Sequence, residues 1–343
     1  MILHGISLHH FRNFHTSSFN FTNRITKIYG PNGSGKTNLL EAIFILFTTK
    51  SFRNKKTLFE CTDVAQTDYF SIQGKIENDE NFFYFDGKNR TKTMRINQKE
   101  INSLQFIEGK KIIYFSPEET MIFFQSQENK RNILDRYISS TDDSHLSLLI
   151  EYRIMKKEKE IILKSDSRHK RMMIEKQREK FEILSTKISE KRRDFLQEIK
   201  SDVLQRIQRM NENIVDLDIV FKENNFSKGY LEREILEKNV LYGCQRDEMN
   251  FKTGTGIKAK AFFSNGEKKT INLAFHFGYL DYLKRKEKEN NGKCIVCLDD
   301  IESEMDNQTT DNIMEMLQVE ENQVIITTKS ENQMSDSHIT LKK

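Results

Sequence analysis

The stretch IYGPNGSGKTNLLEAIFIL, Ile28 to Leu46, decides the reading of this chain. Gly30 to Thr37 fits the G-x-x-x-x-G-K-[ST] pattern, in which backbone N–H groups turn inward around phosphates. The glycines permit that turn because no Cβ stands in the way. The run Gly30, Pro31, Asn32, Gly33, Ser34, Gly35, Lys36, Thr37 and Asn38 is therefore the candidate nucleotide-binding segment. Lys36 adds a mobile positive charge, and the Thr37 hydroxyl can sit on Mg²⁺. The flanks agree: Arg24–Tyr29 reads as a short buried strand and Thr37–Thr48 as a helix whose N-terminal dipole faces the same anions. These residues imply binding of ATP or GTP.

The 343 residues suffice for one elaborated domain with a large insertion, or for two lobes. Two prolines, no tryptophan, 25 phenylalanines and 31% charged residues describe a chain rich in helix and strand. No run of 18 apolar residues is present, so no membrane-spanning helix is expected. The start, MILHGISLHHF, lacks the basic and apolar segments of a secretory leader, and the four cysteines make no disulfide framework. A reducing, cytoplasmic setting fits. Cys294 and Cys297 have C-x-x-C spacing, but in an apolar strand residues three apart face opposite ways, which favours packing over metal or redox chemistry.

Net charge is +4, and it is unevenly spread. Residues 151–210 hold 18 Lys and Arg against 11 Asp and Glu, while the remainder holds 37 against 40. In that basic region apolar residues recur at helical spacing without proline or glycine, which predicts two or three long helices, packed as an antiparallel hairpin broken near Ser165-Asp-Ser167. Elsewhere the pattern predicts strands at Ile2–Leu8, Ile25–Tyr29, Phe82–Lys88 with a turn at Asp86-Gly87, Ile112–Phe115, Cys294–Leu298 and Gln323–Thr328. Helices are expected from Ser264-Asn-Gly-Glu267 to about Lys286 and around Asp311–Leu317.

Leu298-Asp299-Asp300 closes an apolar strand with two acids. In P-loop proteins a carboxylate at that position holds Mg²⁺, which assigns Asp299 as a metal residue beside Thr37. Asp300 would then face the γ-phosphate and orient or deprotonate the attacking water. Asp299 lies 263 positions after Lys36, and this large insertion, with S-N-G-E just upstream of the acids, resembles the ABC-type ATPases. In those, an SGG-like signature at a helix N-terminus binds the γ-phosphate held by a second subunit, a role that would fall here to Ser264 and Gly266.

The combination resembles the RecF family of bacterial recombination mediators. His10-Phe-Arg-Asn-Phe14 is similar to the family's N-F-R-N segment, and Gly30–Ile43 to its P-loop and helix. Lys50-Ser-Phe-Arg53 resembles K-S-x-R, Phe115-Ser-Pro-Glu-Glu119 resembles F-x-P-E-D, and Lys130–Asp135 resembles R-R-x-F-L-D. Gly243–Glu248 looks like an altered G-P-H-R-D-D, Leu298–Asp306 is similar to L-D-D-V-x-S-E-L-D, and Ile325–Thr328 to the terminal I-T-T strand. Departures fall at Gln125 and Gln127, where the family has G-x-P, and at Cys244 and Gln245, where it has Pro and His.

The resemblance implies an α/β fold: an ABC-type P-loop ATPase head formed by residues 1–140 and 240–343, with an inserted helical second lobe at 141–239. It implies nucleotide-site roles for Arg12 and Asn13, ATP and Mg²⁺ as cofactors, an ATP-dependent homodimer with Asp306 at the dimer face, binding to duplex DNA and gaps, and RecR as partner. Recombinase loading, post-replication repair and support of the SOS response follow as the expected role. Lys50, Arg53, Lys55 and Lys56, with the basic face of 151–210, are the candidate DNA-phosphate contacts. Catalysis would rest on Lys36, Asp299, Asp300 and Ser264, and turnover is expected to be slow because Asp300 is one methylene shorter than the glutamate common in transporters. An SMC-like structural ATPase would need far longer coiled coils, and a transporter ATPase would lack the N-F-R-N start.

Overall fold

The computed structural model describes residues 1–53, 58–63, 67–286, 293–303, 305–328 and 338–341, with Pro117, Ile122 and Lys260 described by backbone alone. In chain order, the first half carries β1 (Leu3–Phe11), β2 (Phe14–Asn20), β3 (Ile25–Tyr29), α1 (Lys36–Thr48), β4 (Tyr69–Ile76), β5 (Asp79–Asp86), β6 (Thr91–Ile96), β7 (Lys99–Ile101), α2 (Ser103–Ile107), β8 (Ile112–Phe115), α3 (Pro117–Gln125), α4 (Gln127–Ser139) and α5 (Asp143–Lys164). Then follow α6 (Lys170–Met210), β9 (Leu217–Lys222), α7 (Tyr230–Glu237), β10 (Glu248–Thr253), α8 (Ala259–Phe262), α9 (Asn265–Lys286), β11 (Ile295–Leu298), α10 (Asn307–Val319), β12 (Gln323–Thr328) and β13 (His338–Thr340). Two compact units result: Met1–Glu119 with Lys286–Lys343, and Thr120–Arg285.

The first unit contains two sheets. One is antiparallel, in the order β2-β1-β4-β5-β6-β7, and its inner strands alternate buried and exposed residues as a half-buried sheet requires. The other has the order β13-β3-β12-β11-β8 with every neighbouring pair parallel. Its strands β8, β11 and β12 are buried along their whole length, which explains the unbroken apolar runs of β8 and β11 and the apolar centre of β12. Helix α1 packs against β1, β4 and β5 of the first sheet and β8 and β12 of the second. It is accordingly buried from Leu39 through Phe47 rather than along one stripe.

The second unit is mainly helical. The 22-residue α5 and the 41-residue α6 are joined across Ser165–His169. Side-chain pairs run in opposite senses along them, Gln177 to Glu158, Lys180 to Glu151 and Lys191 to Asp142, so the two helices are antiparallel. This is the expected hairpin, with one arm longer than its partner.

The unit boundaries differ from those expected at 140 and 240. Residues 120–140 and 240–285 belong with the helical unit, and a buried ion network gives the reason. Arg192 on α6 donates from Nε and Nη2 to the two carboxylate oxygens of Asp135 on α4, both at 2.8 Å. Its Nη1 donates to Asp247 at 2.9 Å and to the Cys244 carbonyl at 2.6 Å. Lys130 on the same α4 donates to the Met249 carbonyl at 2.9 Å. The blocks Lys130–Asp135 and Gly243–Glu248 are thus one structural element, and α6 fastens it. Strand β2 was not expected from the sequence. Its FHTSSFN is polar because it is an edge strand whose residues between Phe14 and Asn20 are exposed or half-buried.

Candidate nucleotide-binding site

The loop between β3 and α1 is a tight backbone cradle. Gly33 and Gly35 adopt left-handed φ values of 81° and 104°. At Gly35 a Cβ would also meet Asn13 Nδ2 at 2.7 Å and Phe14 Cζ at 2.8 Å, so only glycine fits. Lys36 folds its ammonium over the loop, donating to the carbonyls of Gly30 and Pro31. The Ser34 hydroxyl is buried without a hydrogen-bond partner, an orphan of the kind a bound polar ligand satisfies. Open backbone, a mobile ammonium and an unsatisfied hydroxyl together suit a polyphosphate.

The tip of the β1–β2 hairpin braces this cradle. Asn13 donates from Nδ2 to the Ser34 carbonyl at 3.2 Å and accepts at Oδ1 from Asn38 Nδ2 at 2.7 Å. Arg12, expected at the nucleotide site, grips Glu41, a fully buried acid of α1, at 2.8 and 2.9 Å. Glu41 also accepts from the Ser51 hydroxyl at 2.5 Å, and Arg53 reaches both Asn38 Oδ1 at 2.7 Å and Glu41 at 3.5 Å. Cys61 lies 3.7 Å from the same carboxylate, and its thiol is pushed up to about 12 by burial and by Glu41. Sequence reasoning missed Glu41 and Ser51. The available signal was an acid inside the apolar run Leu39–Leu46, which had to find cations.

The acids after β11 lie at the same sheet edge. β3, β12 and β11 are parallel neighbours, so Gly30 after Tyr29, Thr328 and Asp299 all leave from the carboxyl ends, where ligands of open α/β sheets bind. Asp299 is 6% exposed, and it accepts from the Thr327 hydroxyl at 2.5 Å and from the Tyr114 hydroxyl at 3.4 Å. Burial, then the Asp299 charge, push the Tyr114 phenol well above its ordinary range, so it stays a donor. Asp300 sits at φ 48°, with its backbone N–H on the same Thr327 oxygen at 2.9 Å. Thr327 and Tyr114 orient the first acid, and neither was singled out from the sequence.

Ser264 and Glu267 form a reciprocal cap at the start of α9: Ser264 N–H donates to the Glu267 carboxylate at 2.8 Å, and Glu267 N–H donates to the Ser264 hydroxyl at 3.3 Å. Ser264 is exposed and Gly266 half-buried. Asp306 caps α10, accepting the Thr309 N–H at 2.8 Å, and that bond holds its carboxyl below the usual carboxylate range. Of the expected DNA contacts, Arg53 is committed to the α1 cluster, Lys50 is exposed, and Lys55 and Lys56 lie outside the described residues. Much of the basic helical face is neutralised locally, as by Arg171–Glu175, Arg178–Glu182, Arg193–Glu223 and Lys200–Asp218. No helix among the described residues is long and apolar enough to cross a membrane.

Comparison with known proteins agrees with this construction. The chain is 30% identical to the DNA replication and repair protein RecF of Geotalea daltonii over 360 residues, covering 96% of this chain and 93% of the relative. It is likewise 30% identical to the RecF protein of Geobacter metallireducens over 351 residues, with the same coverages. Among solved structures it is similar to the recombination mediator protein RecF with ATP in the RecFOR pathway, with a TM-score of 0.83, 22% identity and coverage of 99% and 95%. An SMC head bound to the C-winged helix domain of ScpA shares the fold at a TM-score of 0.56, with 14% identity and coverage of 98% and 93%. The α/β ABC-type head expected from the sequence is therefore the fold of this chain. Residues 2–342 match the RecF/RecN/SMC N-terminal domain, and the chain belongs to that family and, within it, to the RecF proteins of DNA replication and repair.

Proposed function

We propose that this RecF-family chain is an ATP-gated dimeric clamp on DNA. Lys36 and the backbone N–H groups of Gly33 to Lys36 would hold the β- and γ-phosphates, while Asn13 and Asn38 keep the loop in shape. Thr37 and Asp299 would hold Mg²⁺, whose charge would offset that of the phosphates. Asp300 would orient the attacking water, and its short side chain favours slow hydrolysis. Ser264 and Gly266 of a second copy would close over the γ-phosphate, with Asp306 at the contact. The clamp would then release DNA when hydrolysis removes the shared phosphate. RecR is the proposed partner, and recombinase loading at gaps during repair the proposed role.

The observation that supports this reading is the shared sheet edge: the phosphate cradle after β3 and the oriented Asp299 after β11 flank one strand, β12. The exposed, capped N-terminus of α9 would supply the second half of a composite site. The test is molar mass in solution with and without Mg-ATP, for the wild type, Ser264→Arg and Ser264→Asp. Aspartate preserves an N-cap but brings a carboxylate to where a γ-phosphate would approach. ATP is expected to convert wild-type monomer to dimer, and both variants should bind ATP yet remain monomeric. A mass indifferent to ATP, or dimers from Ser264→Asp, would overturn the clamp.

A further inference from the structure

Beside the nucleotide cradle lies a cluster with no part in the chemistry above. One ring nitrogen each of His10 and His15 and a carboxylate oxygen of Asp63 lie within 4.8 Å of one another. They come from three chain segments, and backbone pairing sets their convergence. His10 and His15 face each other across the β1–β2 hairpin, between the pairs His9–Thr16 and Phe11–Phe14. The segment after residue 61 docks on the same hairpin, with Arg12 N–H on the Cys61 carbonyl at 2.8 Å and Asp63 N–H on the His10 carbonyl at 3.0 Å. That second bond fixes Asp63 next to His10.

Three further observations point to a ligand. His10 Nδ1 is enclosed yet has no hydrogen-bond partner, so no protein group fixes its proton. His10 also holds a left-handed φ of 51°, a strained conformation outside glycine that tends to persist where function requires it. The two imidazoles lie edge to face with centroids 4.5 Å apart, so the rings already converge.

We propose that His10, His15 and Asp63 bind a zinc-class divalent ion. Two imidazoles and a carboxylate suit zinc, whose ligand distances of about 2.0–2.2 Å require the three side chains to draw together from their present spread of up to 4.8 Å. Magnesium and calcium prefer all-oxygen sets, so the site differs in metal choice from Thr37 and Asp299. The exposed His15 leaves the ion open to water on one side. Its structural effect would be to tie the hairpin to residues 61–63. Because the hairpin tip carries Arg12 and Asn13, the ion would stiffen the brace on the phosphate loop.

The test titrates zinc into the nucleotide-free full chain by calorimetry, with cobalt absorption reporting the ligand set. Variants are His15→Gln and Asp63→Asn, with Asp299→Asn as a control that disables the other metal position. Losing even an outer-shell partner costs about 10–100-fold in metal affinity, so losing a direct ligand is expected to cost at least tenfold. One equivalent should bind to the wild type and to Asp299→Asn, with a raised melting temperature in both and a tenfold or greater loss in the other two. No binding to the wild type, undiminished binding to His15→Gln and Asp63→Asn, loss in Asp299→Asn alone, or a cobalt–thiolate band would each overturn the site.

Discussion

Arg12 and Glu41 meet side by side, Nε on Oε2 at 2.9 Å and Nη2 on Oε1 at 2.8 Å, with the carboxylate wholly buried in α1. The arginine holds a left-handed φ of 54° to make this contact. A hairpin tip is thereby bolted to the helix that begins with Lys36. Burial works against the guanidinium's charge, but hydrogen bonding and attraction to Glu41 more than offset it, and the group stays protonated. Arg12 is thus a positioning residue for the loop.

Removing one partner of a buried ion pair leaves an uncompensated charge and costs about 3–5 kcal/mol. Arg12→Ala should fall at the low end, since Ser51 and Arg53 still reach Glu41. Chemical denaturation of Arg12→Ala, Glu41→Leu and the double variant reads this. The double variant should lose less than the sum of the two. Strict additivity would mean that the pair contributes nothing as a pair.

Two glycines in the loop should respond differently to alanine. Gly33→Ala meets no atom within 4 Å and carries only backbone strain at φ 81°, about 1–2 kcal/mol. Gly35→Ala adds a collision with Asn13 and Phe14. Fluorescent-ATP titration should show Gly33→Ala weakened and Gly35→Ala without measurable binding. Equal affinities would deny the close approach of the hairpin.

Thr327→Val keeps shape but removes the hydroxyl that donates to Asp299 and receives the Asp300 N–H. Outer-shell changes of this kind cost about 10–100-fold in metal affinity. The Mg²⁺ concentration needed for half-maximal hydrolysis should rise by at least tenfold, with ATP binding in the absence of metal unchanged. An unaltered Mg²⁺ requirement would remove Thr327 from the site.

The elements most legible in the sequence were those whose local pattern and tertiary role coincide. β3, β8, β12 and α9 were each placed to within a residue or so, because buried parallel strands and a capped helix write themselves in contiguous residues. Ion pairs between distant segments leave no such trace. Arg192 belongs to the basic count of 151–210, and nothing in its neighbourhood announces that it joins Asp135 to Asp247. Nor does anything local announce that Arg12 and Arg53, expected at nucleotide and DNA, meet on a single acid in α1. Spacing gives away a loop that binds phosphate, whereas the side chains that hold it still come from wherever the fold brings them.

Acid should destabilise the protein early. Burial, with repulsion from Arg136, lowers the His276 imidazole to about 3, so it is neutral when folded. In the unfolded chain it takes a proton below about pH 6.5, and stability should fall by about 1.4 kcal/mol per pH unit from there down to its folded value. Burial alone would raise the Asp135 carboxyl, but Arg192 and His145 hold it at about 2, so its own contribution is lost only below about pH 4. Denaturation of His276→Gln at several pH values should give a flatter curve between 6.5 and 4. A slope equal to the wild type's would place the acid sensitivity elsewhere.

DNA affinity should fall steeply with salt, and the slope can locate the contact. Each phosphate neutralised contributes about 0.9 to the log–log slope for duplex DNA. Arg153, Lys157 and Lys164 on α5 are exposed and form no ion pair among the described residues, whereas Arg193 is tied to Glu223 at 2.6 Å. If the α5 face meets the duplex, each alanine substitution there should lower the slope by about one and weaken all sequences alike. Arg193→Ala should leave the slope where it was. The reverse ranking, or slopes unchanged by all four substitutions, would move the DNA surface off the hairpin and towards the neighbourhood of Lys50.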